Sequence, residues 1–208
     1  MANRRLHQIR SHYEPRISSF RANHEILDWA SPRTQRLRFE ALLANVPLGG
    51  LSLLDVGCGL GDLYALTRER QIPVDYTGVD ILDKMIVLAR KNHPEAHFVV
   101  ADVFAANPFG AGAFDVVYCS GLFNLNLGNN LEFLATALHR FLELSRQTVA
   151  FNMLHHRAVC GDPRYFYHDP RHVRSVLESM DATCLIVDDY LDNDFTVICR
   201  KGKPHAGS

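Results

Sequence analysis

From Leu51 to Arg200, short apolar runs alternate with stretches whose apolar residues recur every three or four positions. That order is expected of parallel strands covered by helices. The runs that read as strands are Leu51–Val56, Asp75–Val79, Ala96–Val100, Phe114–Cys119, Gln147–Met153, Thr183–Asp188 and Phe195–Cys199, seven in all. Between them, Leu131, Leu134, Leu138, Phe141 and Leu142 are spaced for one buried helix face. The same holds for Val173, Val176, Leu177 and Met180, and for Leu82, Met85, Ile86 and Ala89. Only "YLDND" separates the last two strands, too short for a crossover helix, so they are expected to form an antiparallel hairpin at one end of an otherwise parallel sheet. Upstream, "WASPRTQRLRFEALLANVP" carries Ser31 as an N-cap, Pro32 in the first turn and Pro47 as a stop, which bounds a helix. Residues 1 to about 30 read as helical and irregular, and "RKGKPHAGS" as a frayed tail.

At 208 residues and 47% hydrophobic content, one domain with a full core is expected. A net charge of −1 gives no whole-chain attraction for nucleic acid. From Met1 to Glu40, however, eight arginines stand against four carboxylates. That local excess fits either a solvated helical face or a site for an anionic ligand, and leaves a nucleic-acid partner open without indicating one. The cysteines Cys58, Cys119, Cys160, Cys184 and Cys199 are scattered and form no C-x-x-C pair, so a reducing compartment fits best and neither a zinc site nor a disulfide framework is indicated. The opening "MANRRLHQIRSHYEPR" is basic with no apolar run behind it, and no stretch approaches the roughly 18 apolar residues of a membrane span. The expectation is a cytoplasmic protein that makes no membrane contact.

Candidate chemistry concentrates in "LLDVGCGLGDL", Leu53 to Leu63, where three glycines fall within five residues directly after a strand. Glycines there let the backbone approach a ligand where a side chain would clash. No Gly-Lys-Ser/Thr follows, which removes a nucleoside triphosphate cradle. A dinucleotide fingerprint would need its third glycine where Asp62 stands, and that carboxylate would repel a pyrophosphate. The spacing Gly57-x-Gly59-x-Gly61, preceded by Asp55, instead resembles motif I of the class I, Rossmann-like S-adenosylmethionine-dependent methyltransferases. The segments "YTGVDIL", "FVVADVF" and "FDVVYCSGLFNL" follow in that family's order. The resemblance covers Leu51 to Arg200 and implies S-adenosylmethionine as cofactor. It also implies an α/β fold: a Rossmann-like seven-stranded, mostly parallel sheet with an antiparallel C-terminal hairpin, helices on both faces and an N-terminal helical lid. Residues 1–46 are then the lid segment, 47–200 the cofactor-binding domain and 201–208 a flexible tail.

By that resemblance Gly57, Cys58, Gly59 and Gly61 meet the cofactor, with Asp55 orienting their loop. Asp80, with Ile81 beside it, takes both ribose hydroxyls, and Asp102 with the Val103 amide reads the adenine edge. Ser120 and Gly121 lie beneath the methionine moiety. The segment "HYEPRISSFRANHEILDWASPRTQRLRF" looks like the extra helices of small-molecule methyltransferases. Gln35 and Arg38 share a helix face there, which assigns Arg38 to the cofactor carboxylate, and Tyr13 and Trp29 become walls of the acceptor chamber. Where amino-methylating enzymes carry Asn/Asp-Pro-Pro-Tyr/Phe, this chain has Ser120-Gly121-Leu122-Phe123-Asn124. No metal is implied, since no catechol-type carboxylate trio is evident and His155, His156, His168 and Asp169 match no ligand spacing. The segment "FNMLHHRAVCGDPRYFYHDP" leaves the fifth strand on the glycine-loop edge. Its Tyr165 and Tyr167, with Phe123 and Asn124, form the expected acceptor wall, and His155 is the first choice as general base. Methyl transfer to a small-molecule acceptor is therefore expected. The alternatives are an RNA or protein methyltransferase, a non-catalytic cofactor-binding protein, and a nicotinamide oxidoreductase, which Asp62 and the hairpin disfavour.

Overall fold

The structure, a computed structural model, describes residues 2–17, 21–106, 108–158, 162–180 and 182–201. Cys160 and residues 202–208 of the expected tail lie outside the described residues, and Lys201 still belongs to a strand. The strands are β1 (Ser52–Val56), β2 (Asp75–Asp80), β3 (His97–Val100), β4 (Phe114–Cys119), β5 (Ser145–Leu154), β6 (Ala182–Val187) and β7 (Asp194–Lys201). They form one sheet in the order β3-β2-β1-β4-β5-β7-β6. The first five pair in parallel, while β7 runs antiparallel to both β5 and β6 and fills the space between them. Every expected strand is present, and the hairpin leaves β6 as the sheet's edge.

The helices are α1 (Ala2–Ile17), α2 (Asn23–Ile26), α3 (Pro32–Asn45), α4 (Asp62–Glu69), α5 (Asp83–Asn92), α6 (Asn130–Leu144) and α7 (Pro170–Glu178). Strand alternation sends Leu54, Val117, Val149 and Val197 into one core with α6 and α7. Their neighbours Leu53, Val116, Ala150 and Ile198 face the other core, with α3, α4 and α5. The sheet is thus buried on both faces, which is why its central strands read as continuous apolar runs. One expected core residue is not there: Leu131 is 49% exposed. The buried stripe of α6 is rotated toward Phe133, Leu134, Ala137, Leu138, Phe141 and Leu144, leaving Leu131 at its margin. Among the described residues no helix is long and apolar enough to cross a membrane.

Two elements before β1 cover the carboxyl ends of the strands. Along α1, Leu6, Ile9, Tyr13 and Ile17 pack against Leu82 and Met85 at the start of α5. Helix α3 begins as its sequence signals, with the Ser31 hydroxyl accepting from the Thr34 amide at 3.2 Å. It is pinned to the last strand by a buried ion pair, Arg38 to Asp194 at 2.8 Å. Burial pushes the Asp194 carboxyl up to about 6, against the opposing pull of Arg38 and the Tyr190 hydroxyl. Replacing one member leaves the other buried and unpaired, a loss of about 3–5 kcal/mol, whereas replacing both with apolar groups removes that penalty. Urea unfolding should therefore find Arg38→Met destabilised by about that amount and the Arg38→Met/Asp194→Leu double variant restored most of the way.

Candidate active site

One cleft opens at the carboxyl ends of β1 to β4, across the point where the strand order reverses between β1 and β4. Its floor is built from the residues that follow each strand: Gly57, Cys58 and Gly59 after β1, Ile81 after β2, Asp102 and Val103 after β3, and Ser120, Gly121 and Asn124 after β4. Helix α1 supplies Arg5, Ile9 and Tyr13, one residue per turn, and the loop after α2 supplies Leu27, Asp28 and Trp29. The Gly57 and Cys58 amides both donate to the Val79 carbonyl, at 2.7 and 3.1 Å, which locks the first two loops together. Gly59 has φ +53, and a Cβ there would sit 2.6 Å from the Leu27 side chain, so the covering segment rests directly on the glycine loop.

Five carboxylates line this cleft. Asp80 accepts from the Gly59 amide at 3.1 Å and the Leu82 amide at 2.9 Å, and burial pushes it up to about 6 against those donors. Asp55 accepts from the Tyr76 hydroxyl at 2.8 Å, yet burial raises it to about 7. Asp62 accepts from Gln35 at 2.7 Å and Asn23 at 2.6 Å. Asp102 accepts from the Phe104 amide at 3.0 Å and pairs with Arg5, whose guanidinium lies over the rings of Phe104 and Phe133.

The fifth, Asp28, stands apart at the other end of α1. It takes hydrogen bonds from His12 at 2.7 Å, Arg16 at 3.1 Å and the Tyr165 hydroxyl. Partial burial opposes ionisation there, but the His12 and Tyr165 hydrogen bonds and the Arg16 charge together hold the carboxyl well below the ordinary range. Its backbone is left-handed, φ 61, a conformation that non-glycine residues adopt at a cost. Next to it, Trp29 has the Arg38 guanidinium 4.5 Å over its ring, and its edge lies where a Cβ on Gly121 would come within 2.7 Å. The Gly121 amide in turn donates to Asn152 of β5 at 2.8 Å.

Residues 53–145 match a family model described as a methyltransferase domain. Over that stretch the chain resembles a methyltransferase domain, and its sheet is Rossmann-like. The trans-aconitate 2-methyltransferase of Delftia acidovorans is 37% identical over 81 residues, 38% of this chain and 30% of that protein. The chain thus spans under a third of the length of the curated relatives it matches. In fold, it is similar to the 1,6-didemethyltoxoflavin-N1-methyltransferase of Burkholderia thailandensis, solved with 1,6-didemethyltoxoflavin and S-adenosylhomocysteine. That likeness has a TM-score of 0.70 at 17% identity, over 97% of this chain and 89% of that one. It is also similar to the magnesium protoporphyrin IX methyltransferase of Synechocystis solved with S-adenosylhomocysteine, with a TM-score of 0.66 at 16% identity over 92% and 94% of the two chains.

The fold brings most of the expected residues to the cleft, among them Asp55, Asp80, Asp102, Tyr13, Trp29, Asn124 and Tyr165. Five lie elsewhere. Gly61 caps α4 at φ +84, and a Cβ there would meet Phe98 and His93 at 2.9 Å, so it serves the packing of α4 rather than the cleft wall. Arg38 is spent on Asp194 and on the Thr34 carbonyl. Phe123 is 1% exposed and packs among Phe133, Phe141 and Phe151 in the core. Tyr167 is half-buried away from the cleft. His155 is 5% exposed, stacked on His156 and packed against Phe195, and burial followed by the Arg157 charge lowers its pKa. Within the segment after β5 a bridge joins His155 to His168, and a second ties Tyr165 to Leu125 in the loop after β4; Tyr165 reaches the cleft and His155 does not. Sequence reasoning missed Arg5, Leu27, Asp28 and Asn152; only Arg5 had a local signal, its four-residue spacing with Ile9 and Tyr13. The core position of Phe123 has a measurable consequence: Phe123→Ala should lower the unfolding free energy by about 3–5 kcal/mol in urea titrations.

Proposed function

We propose that the chain binds S-adenosylmethionine in this cleft and transfers its methyl group to a small-molecule acceptor. The observation that carries the reading is Asp80: a half-buried carboxylate at the end of β2, oriented by two backbone amides and facing the cleft beside the glycine loop. Such a group suits a pair of ribose hydroxyls. The fit extends along the floor. Asp102 and the Val103 amide suit the adenine, and the Gly57 backbone is bare toward the cleft, a Cβ there meeting only Leu122 at 3.6 Å. With Arg38 engaged elsewhere, the cofactor carboxylate falls to neutral donors, Gln35 and Tyr13. Burial, then the charges of Asp28 and Asp80, raise the Tyr13 phenol, so it stays a donor.

When bound, the cofactor would supply an electrophilic methyl on a sulfonium to the acceptor's lone pair and leave as a neutral thioether, with the acceptor's proton released to bulk solvent. The residues 1–46 act as the cover: α1 and Leu27–Trp29 close the cleft, excluding water and holding the acceptor in line. The unpaired cysteines Cys58, Cys119, Cys184 and Cys199 support action in a reducing cytoplasm. A nucleic-acid acceptor draws less support, because Arg5, Arg10, Arg16, Arg36 and Arg38 of the basic segment are all spent on carboxylates of this chain.

Calorimetry with S-adenosylhomocysteine tests the reading. Asp80→Ala should weaken binding by about 1.5–3 kcal/mol, the range for hydrogen bonds to a charged group. Because burial raises Asp80 to about 6, the group is mostly protonated at about pH 5 and ionised at about pH 8. The ionised form is the stronger acceptor, so affinity should rise across that interval and the rise should vanish in Asp80→Asn. A pH-independent affinity in the wild-type protein would remove Asp80 from the ribose contact.

A further inference from the structure

We propose that the acceptor is an uncharged, planar compound that presents an N–H or O–H group to the wall formed by Asp28 and Asn124, and that carboxylate-bearing compounds are shut out. This deepens the methyl-transfer reading and rests on it. The first observation is the charge of the wall. Among the described residues that line the cleft, Arg5 is the only cation, against the carboxylates Asp28, Asp55, Asp62, Asp80 and Asp102. Arg5 is already paired with Asp102, at the far end of α1 from Tyr13 and Asp28. The nearest other arginines of the covering segment, Arg16 and Arg38, are spent on Asp28 and Asp194. A ligand carboxylate beside Trp29 would therefore find no unpaired cation among the described residues that line the cleft, and its own buried charge would go unsatisfied.

The second observation is an acceptor without a donor. Asn124 is 8% exposed and lines the cleft, and its Oδ1 has no hydrogen-bond partner among the described residues. Its backbone carbonyl is already taken by the Phe166 amide at 2.8 Å, so the side-chain oxygen is the acceptor that remains. Buried polar atoms are rarely left so, and a ligand donor would satisfy it. Asp28 adds acceptor capacity, since among the described residues its Oδ1 receives only Arg16 while Oδ2 receives both His12 and Tyr165. The wall therefore asks for a donor, twice over. The rest of the chamber supplies flat surfaces, with Trp29 braced by Arg38 and Gly121, and Tyr13 and Tyr165 in the lining.

The test uses the whole chain saturated with S-adenosylhomocysteine and matched pairs that differ by one carboxylate: uracil against orotate, and quinolone against kynurenate. Trans-aconitate, a tricarboxylate, is a fifth probe. Saturation-transfer NMR titrations should show the uncharged member of at least one pair binding, its carboxylate at least about tenfold weaker, and no trans-aconitate binding. In Asp28→Asn, whose amide keeps the shape and tolerates a left-handed backbone, the gap should shrink to about threefold or less. Carboxylates that bind as well as or better than their partners, failure of every uncharged probe, or an unchanged gap in folded Asp28→Asn would each overturn the proposal. A wild-type protein that does not take up S-adenosylhomocysteine would sink the methyl-transfer reading itself, and this inference with it.

Discussion

A carboxylate can be taken out of water only where donors replace that water, and this chain turns five of them toward one cleft. Two are satisfied from within the sheet and its loops: Asp55 by Tyr76, and Asp80 by the amides of Gly59 and Leu82. The other three draw on the residues before β1. Asn23 and Gln35 serve Asp62, Arg5 serves Asp102, and His12 and Arg16 serve Asp28, itself part of the same segment. The position of the N-terminal helices over the cleft therefore follows from charge satisfaction as much as from the apolar stripe of α1. It also accounts for part of the arginine-rich composition of the first forty residues, since Arg5, Arg16 and Arg38 pair inside the molecule rather than forming a basic surface.

That arrangement constrains how the proposed reaction gains its rate. A wall of carboxylates attracts a sulfonium, but the sulfonium loses its charge as the methyl departs. Attraction that is stronger in the ground state than in the transition state aids binding and does not lower the barrier. Acceleration has to come from alignment, which is where the rigidity of the acceptor end matters. Trp29 is held between Arg38 and Gly121, Gly121 is held by Asn152, and Asn152 is fully buried in a central strand. Each link ties a wall of the chamber to the core rather than to a mobile loop, and an acceptor fixed against such a wall needs little further ordering to react.

The sheet was legible because its central strands are buried on both faces and read as short apolar runs, and because "YLDND" is too short to cross the sheet. The cofactor end was legible for a related reason: the residues after β1, β2 and β3 are placed by the strands they follow, so Asp55, Gly57, Asp80 and Asp102 reach the cleft wherever the helices go. The third glycine shows the limit of that argument. Gly61 shares the loop's spacing, yet by then the chain has begun α4 and faces Phe98 instead.

The acceptor end was not legible, and the separation of its partners explains why. Spacing does say that Arg5, Ile9 and Tyr13 share one face of α1, but which way that face turns is decided by Asp102, 97 residues away. Tyr165 and Tyr167 stand two apart in one loop, and only the former reaches the cleft, because Asp28, 137 residues away, takes its hydroxyl. Arg38 lies on the expected helix and is drawn off by an aspartate 156 residues later. Local pattern determines which side chains travel together. Where a charged one ends is settled by the opposite charge that burial makes it find, and a single sequence carries no mark of that pairing.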